Sequence, residues 1–137
     1  MSTQKIEFTL PSRLESVDAA ADRAAATATE NGLPEEALFG IDLAVREAVA
    51  NAVKHGNEFN ETKRVRLTLE KLPYSFVITV EDEGAGFDVA SVPDPTNPEN
   101  LLKESGRGIL FMQSFMDEVS WERSSSGGTI VRLAKKF

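Results

Sequence analysis

Ile6, Phe8 and Leu10 alternate with polar residues in "KIEFTLP", the period of a half-buried strand. The next apolar positions change period. In "SRLE", Ser12 can accept from the amide of Glu15 while Glu15 reaches back, a capping box, so a helix is expected to about Glu30. Asn31 and Gly32 close it. Its alanines (Ala19, Ala20, Ala21, Ala24, Ala25, Ala26) favour helix and allow close packing, with no functional content. Pro34 suits the first turn of a second helix, where a missing N–H would be unpaired anyway. That helix is expected to about His55, with Gly56 and Asn57 as its exit and Leu38, Ile41, Val45, Val49 and Ala52 as its core stripe.

"RVRLTLEKL" alternates cleanly and "YSFVITVED" is more continuously apolar, which suggests an edge-side strand beside a more central one. Lys71 to Tyr74, with Pro73, make the turn between them. From Asp82 to Gly108 regular signals fade into a long glycine- and proline-containing loop, a length uncommon in a compact domain unless functional or mobile. A short helix, "ILFMQSFM", then precedes two strands around "EVSWER" and "TIVRLAKK", joined by "SSSGG". The order β-α-α-β-β-loop-α-β-β favours an α+β fold. A two-layer sandwich is expected, a mixed, mostly antiparallel sheet of about five strands packed under about three helices.

Composition narrows the chemistry. A chain of 137 residues is expected to form a single domain, residues 1–137, with a substantial core. The net charge of −7 argues against non-specific nucleic-acid binding, which needs cations to displace phosphate counterions. No direct nucleic-acid or membrane partner is expected, since no apolar run approaches the roughly 20 residues that span a bilayer. "MSTQKIEFTL" lacks signal-peptide features and there is no cysteine, so disulfides and thiolate metal sites are excluded and a cytoplasmic location is expected.

Four motifs remain. In "REAVANAVKHGNEFN", Glu47, Asn51 and Lys54 share the face opposite the core stripe, flanked by Leu43, Ala44 and Ala50. Taken alone, polar residues opposite a core stripe are usually just solvated, and only the small, partly apolar flanks lean toward a pocket wall. His55, the only histidine, reads as a structural residue near a helix end. "EDEGAGFD" follows the central strand: Gly84 and Gly86 permit positive φ and close ligand approach, and the Asp82 carboxylate can accept from an amino group such as that of adenine. For a lone D-x-G-x-G, an ordinary glycine turn after a strand is the favoured reading. "SGRGILFMQ" puts Gly106 and Gly108 before a short helix whose free amides suit phosphate, with Arg107 as a charged fork and Lys103 as a weaker candidate. "SSGGTIVRL" reads as a hairpin turn at Gly127 and Gly128, then Thr129, whose hydroxyl can also support a base through water. P-loop and Rossmann patterns are absent.

The order of these motifs is more specific than any one of them. "EAVANAVKHGN", "DEGAGF", "GRGILFM" and "GGT" together strongly resemble the nucleotide-binding boxes of the GHKL (Bergerat-fold) ATPase/kinase superfamily, across nearly the whole chain. "DPTNPENLLKESGRGILFMQSFMDEV" looks like the bacterial anti-sigma-factor serine/threonine kinases, lone domains of about this size. The resemblance implies Mg²⁺ and ATP as cofactors, with Glu47 as general base and Asn51 as the Mg²⁺ ligand. It implies that Asp82 reads adenine with support from Thr129, while Gly84, Gly86 and Phe87 shape the pocket. Gly106, Arg107, Gly108 and Ile109 would close on the phosphates at the end of a flexible lid from about Asp88 to Ser105. Lys54 also falls among the nucleotide-binding positions. Phe115 replaces the leucine more usual in the family, an apolar exchange that touches no role. The implied partners are an anti-anti-sigma-like substrate protein and a sigma factor, with a homodimer expected. A non-catalytic ATP-binding sequestration module and a plain ATPase are the alternatives.

Overall fold

A computed structural model of the chain describes residues 4–84, 112–125 and 127–137; the side chains of Gln4 and His55 fall outside that description. The described strands are β1 (Gln4–Pro11), β2 (Arg64–Lys71), β3 (Ser75–Asp82), β4 (Glu118–Arg123) and β5 (Thr129–Lys136). They form one sheet in the order β1-β2-β3-β5-β4, with every neighbouring pair antiparallel. Helices α1 (Glu15–Glu30) and α2 (Glu35–Asn51) pack over it, and residues 112–115 are helical too. The expected α+β two-layer architecture is what forms.

The alternating strands create two faces. Phe8, Leu67, Val80, Val131 and Trp121 stand side by side across all five strands and pack with the core. One residue along, Glu7, Thr68, Thr79, Arg132 and Ser120 make the matching row on the opposite, polar face. Leu67, Leu69, Phe76, Ile78 and Leu133 are wholly buried, each contributing about 1.5–3 kcal/mol of apolar transfer free energy. Strand β3 lies centrally, as its near-continuous apolar run suggests, and β2 lies between it and the edge strand β1.

Helix α1 packs on α2 through Ala20, Ala24 and Ala28, all fully buried, whose small side chains allow the backbones close approach. Its C-terminus is a Schellman closure: Leu33 N donates to Ala28 O (3.1 Å) and Gly32 N to Thr29 O (3.1 Å), with Gly32 at φ +80°. The N-terminus differs from expectation. Ser12 does not cap α1; Leu14 occupies the cap position with no side-chain hydrogen bond. The Ser12 hydroxyl instead donates to Lys63 O (2.8 Å) and accepts from Asn57 Nδ2 (2.6 Å), because it is buried against the chain entering β2. Long-range polar demand outcompetes the local box.

Pro34 is the cap residue of α2, one position before its first turn. The core side of α2 is wider than the expected stripe, adding Ala37, Gly40, Ala44 and Ala48 to Ile41, Val45 and Val49, while Leu38 is half-buried. Gly40 leaves room for Phe115, whose ring meets Phe39 edge-on at 5.5 Å between centroids. Beyond Asn51 the helix continues to Gly56 as a π turn, Ala52–Gly56, with Asn57 N donating to Ala52 O (2.8 Å). The expected extent is correct, but the last turn is wound differently.

Candidate functional site

Strand β3 delivers Asp82 to the point where three segments converge: the π turn, the residues just after β3, and the start of β5. Its Oδ1 accepts the amide of Gly84 (3.0 Å) and, from 47 residues away, the amide of Thr129 (3.1 Å). Three glycines make this possible by having no side chain. A Cβ on Gly56 would stand closer than 3.0 Å to the Asp82 carboxylate; one on Gly84 would strike Gly56 O, and one on Gly128 would strike Asp82 O. The need for glycine at position 84 is therefore close backbone packing, since only Gly32 and Gly127 among the described glycines have positive φ. Of the two properties that glycine permits at position 84, positive φ and close approach, the fold uses the close approach, here of Gly56 O.

Only 4% of the Asp82 surface is exposed. Burial pushes its carboxyl pKa above the ordinary aspartate value, and the amides of Thr129 and Gly84 and the charge of Lys63 oppose the rise. Beside it, Thr129 Oγ1 is fully buried with no hydrogen-bond partner among the described residues. An unpaired buried hydroxyl costs about 1–3 kcal/mol. Next to a desolvated carboxylate, it marks a polar wall suited to a ligand that carries its own donors.

Glu47, Asn51 and Lys54 are all half-buried. Glu47 and Asn51 lie one turn apart on α2, and Lys54 follows in the π turn, whose looser winding takes it out of α-helical phase with them. Among the described residues, no group of three or more His, Asp or Glu side chains could hold a metal ion. An ion at Asn51 would take the amide oxygen and draw its other oxygens from ligand and water, a donor set that suits Mg²⁺. Gly86, Phe87, Lys103, Gly106, Arg107, Gly108, Ile109 and the lid from about Asp88 to Ser105 lie outside the described residues, as does the His55 side chain.

One residue escaped sequence reasoning. Asn57, taken for an exit signal, is 1% exposed and makes three side-chain hydrogen bonds: Nδ2 to Ser12 Oγ (2.6 Å), Nδ2 to Arg64 O (3.0 Å), and Oδ1 from Glu83 N (2.8 Å). It ties the ends of β1, β3 and the π turn to the start of β2. Glu58 and Phe59, at φ 51° and 60°, follow in the left-handed region, which non-glycine residues adopt only when their surroundings enforce it. The one local clue was a polar residue directly after the glycine that ends a long helix.

The desolvated Asp82 carboxylate thus lies in a glycine cradle at the end of the central strand, against the π turn that continues the helix bearing Glu47 and Asn51. Residues 10–135 match the family model for the histidine kinase-like ATPase domain, and the chain belongs to that family. Within it, the chain is similar to the anti-sigma F factor of Heyndrickxia coagulans, 37% identical over 136 residues that cover 96% of this chain and 90% of that one. The anti-sigma F factor of Bacillus subtilis (strain 168) is 38% identical over 102 residues, covering 72% of this chain and 68% of its own. The SiaB–SiaC complex from Pseudomonas aeruginosa includes a chain with the same fold, at a TM-score of 0.63 and 13% identity, covering 96% of this chain and 89% of that one. A Mycobacterium tuberculosis protein with RsbU and RsbW domains also shares the fold, at a TM-score of 0.68 and 16% identity. The match covers 97% of this chain and 32% of that longer one.

Proposed function

We propose that the chain is an ATP-dependent serine/threonine protein kinase that acts as an anti-sigma factor, phosphorylating a small anti-anti-sigma partner and sequestering a sigma factor. The observation that carries the reading is the buried Asp82 carboxylate, cradled by Gly56, Gly84 and Gly128 beside the Thr129 hydroxyl, which has no partner among the described residues. An ionised carboxylate offers only acceptors, and Thr129 Oγ1 can receive or donate, which matches the amino edge of adenine. The similarity to anti-sigma F factors supports the partner classes.

In this reading, Asp82 and Thr129 select the base. Glu47 receives the proton of the partner's hydroxyl as that oxygen becomes phosphorylated, because a serine hydroxyl is a weak nucleophile until a placed carboxylate takes its proton. Asn51 would hold Mg²⁺, which when bound neutralises phosphate charge. Gly84 keeps the loop after β3 in register, Lys54 lies along the phosphate side, and Gly86, Phe87, Gly106, Arg107, Gly108 and Ile109 complete the nucleotide site. Residues 1–137 act as one ATP-binding domain, cytoplasmic and homodimeric, with no direct contact to nucleic acid or membrane.

Glu47→Gln tests the assignment of the base. The variant should bind ATP within about twofold of wild type, since its loss falls on the transition state, yet phosphorylate the partner at least about 100-fold more slowly. Both quantities can be read from titration calorimetry and labelled-ATP transfer. Transfer at the wild-type rate would remove Glu47 from the chemistry. Nucleotide-dependent complexes of the wild-type chain with no label transfer would instead favour the sequestration-only module.

A further inference from the structure

We infer that Asn57 is a positioning residue for nucleotide recognition, clamping the end of the α2–π segment to the end of β3 so that Asp82 is held in fixed relation to the helix bearing Glu47 and Asn51. The inference rests on the reading of Asp82 as the adenine-binding carboxylate.

The peptide joining Asp82 to Glu83 is gripped from both sides. Its N–H donates to Asn57 Oδ1 (2.8 Å), while its carbonyl lies against the Cα of Gly128. The carboxylate on the same residue takes the amides of Gly84 and Thr129 and packs on Gly56, the residue next to Asn57. One side chain thus fixes the peptide on which the carboxylate turns, and its own backbone neighbour forms a wall of the cradle. At its other end, Asn57 Nδ2 bonds Ser12 Oγ and Arg64 O, anchoring the clamp to β1 and β2.

Only a side chain with both donor and acceptor serves here. Leucine of similar shape leaves the Glu83 amide, Arg64 O and Ser12 Oγ short of partners. Aspartate loses both donors and sets a second buried carboxylate near Asp82. The left-handed Glu58 and Phe59 that follow are a strained exit from the π turn, persisting where neighbouring contacts over-determine them. Phe59 N donates to Val53 O (2.8 Å), and Asn57, 1% exposed, stands directly before the pair.

The clamp has a site end, at Glu83, and an anchoring end, at Ser12, so a purely structural role can be separated from a positioning one. Full-length wild type, Asn57→Ala and Ser12→Ala are titrated with ATP and with GTP in the presence of Mg²⁺, and their melting temperatures recorded. Both variants melt earlier. Ser12→Ala should keep its ATP affinity within about twofold, whereas Asn57→Ala should bind ATP about tenfold more weakly, the effect of losing one hydrogen bond that holds the carboxylate. Its preference for ATP over GTP should fall by a similar factor. Unchanged affinity and preference in Asn57→Ala, or equal losses in both variants, would overturn the inference.

If Asn57→Ala does not fold, amide exchange in the wild type decides. On ATP binding the Glu83 amide should slow by about tenfold or more, together with those of Gly84 and Thr129, since one clamp holds all three. Slowing at Gly84 and Thr129 with none at Glu83 would refute the clamp. A wild-type chain that binds no adenine nucleotide would instead overturn the reading of Asp82 itself.

Discussion

Replacing Asp82 by asparagine should make the unliganded chain more stable and the liganded one weaker. The carboxylate is almost fully buried, and burial holds its pKa above the ordinary aspartate value despite two amide donors and the nearby charge of Lys63. The folded chain therefore holds this proton more tightly than the unfolded chain, where the pKa is about 3.9. The resulting stability is fully present below that value and is lost as pH rises through the raised folded pKa. At neutral pH the folded state carries the unfavourable ionised form. The Asp82→Asn side chain keeps an oxygen to accept from Gly84 and Thr129 but removes the charge, so a gain of about 0.5–2 kcal/mol is expected at pH 7. Urea unfolding between pH 4 and 8 measures it, and the gap between variant and wild type should shrink toward the acid end.

Binding should move the other way. A hydrogen bond to a charged group contributes about 1.5–3 kcal/mol, so losing it should raise the Kd for ATP roughly 10- to 150-fold. The asparagine amide would also present donors toward the adenine amino group. Titration calorimetry with ATP and ADP reads the loss. Wild-type affinity in the variant would refute adenine recognition by Asp82. A stability gap that stays constant with pH would refute burial as the source of the raised pKa.

Two further substitutions probe the same cradle. Thr129→Val removes a buried hydroxyl with no partner among the described residues; it should stabilise the free chain by about 1 kcal/mol while weakening ATP about fivefold, whereas Thr129→Ser should keep most of the affinity. Paired thermal melts and titrations check this, and a destabilised valine variant would mean the hydroxyl is satisfied in the free protein. Gly84→Ala drives a methyl group into the carbonyl of Gly56 and should cost about 1–3 kcal/mol, the range for overpacking, with loss of ATP binding. Equilibrium denaturation that shows no loss would contradict the close approach.

How much of this was legible in the sequence follows the range of each interaction. Period-2 alternation in β2 and the apolar run of β3 placed both strands, because each face is set by residues a few positions apart. The glycine closing α1 was readable for the same reason: its hydrogen bonds span three to five residues. Ser12 and Glu15 form an equally local pattern, yet it failed. Ser12 is drawn to Lys63 and Asn57, 51 and 45 residues away, and burial made those partners matter more than the end of a helix. That Asp82, Gly84 and Thr129 meet was indicated only by the resemblance of the ordered motifs, since neither their spacing nor their types alone set them apart from turns.

Asn57 shows why the remainder was hidden. Its side chain joins positions 12, 64 and 83, and a polar residue after a helix-ending glycine is most often solvent-exposed. No periodicity marks a residue whose partners lie on three different segments. The glycine beside it was equally ambiguous: Gly56 reads as a helix terminator, while its packing requirement comes from the carboxylate of Asp82. What local pattern reports as an exit from one element is, in the folded chain, the joint between the helix bearing Glu47 and Asn51 and the strand bearing Asp82. A site built from such joints resides in the contacts between elements, so substitutions at Gly56 or Asn57 should disturb nucleotide recognition more than their place at a helix end suggests.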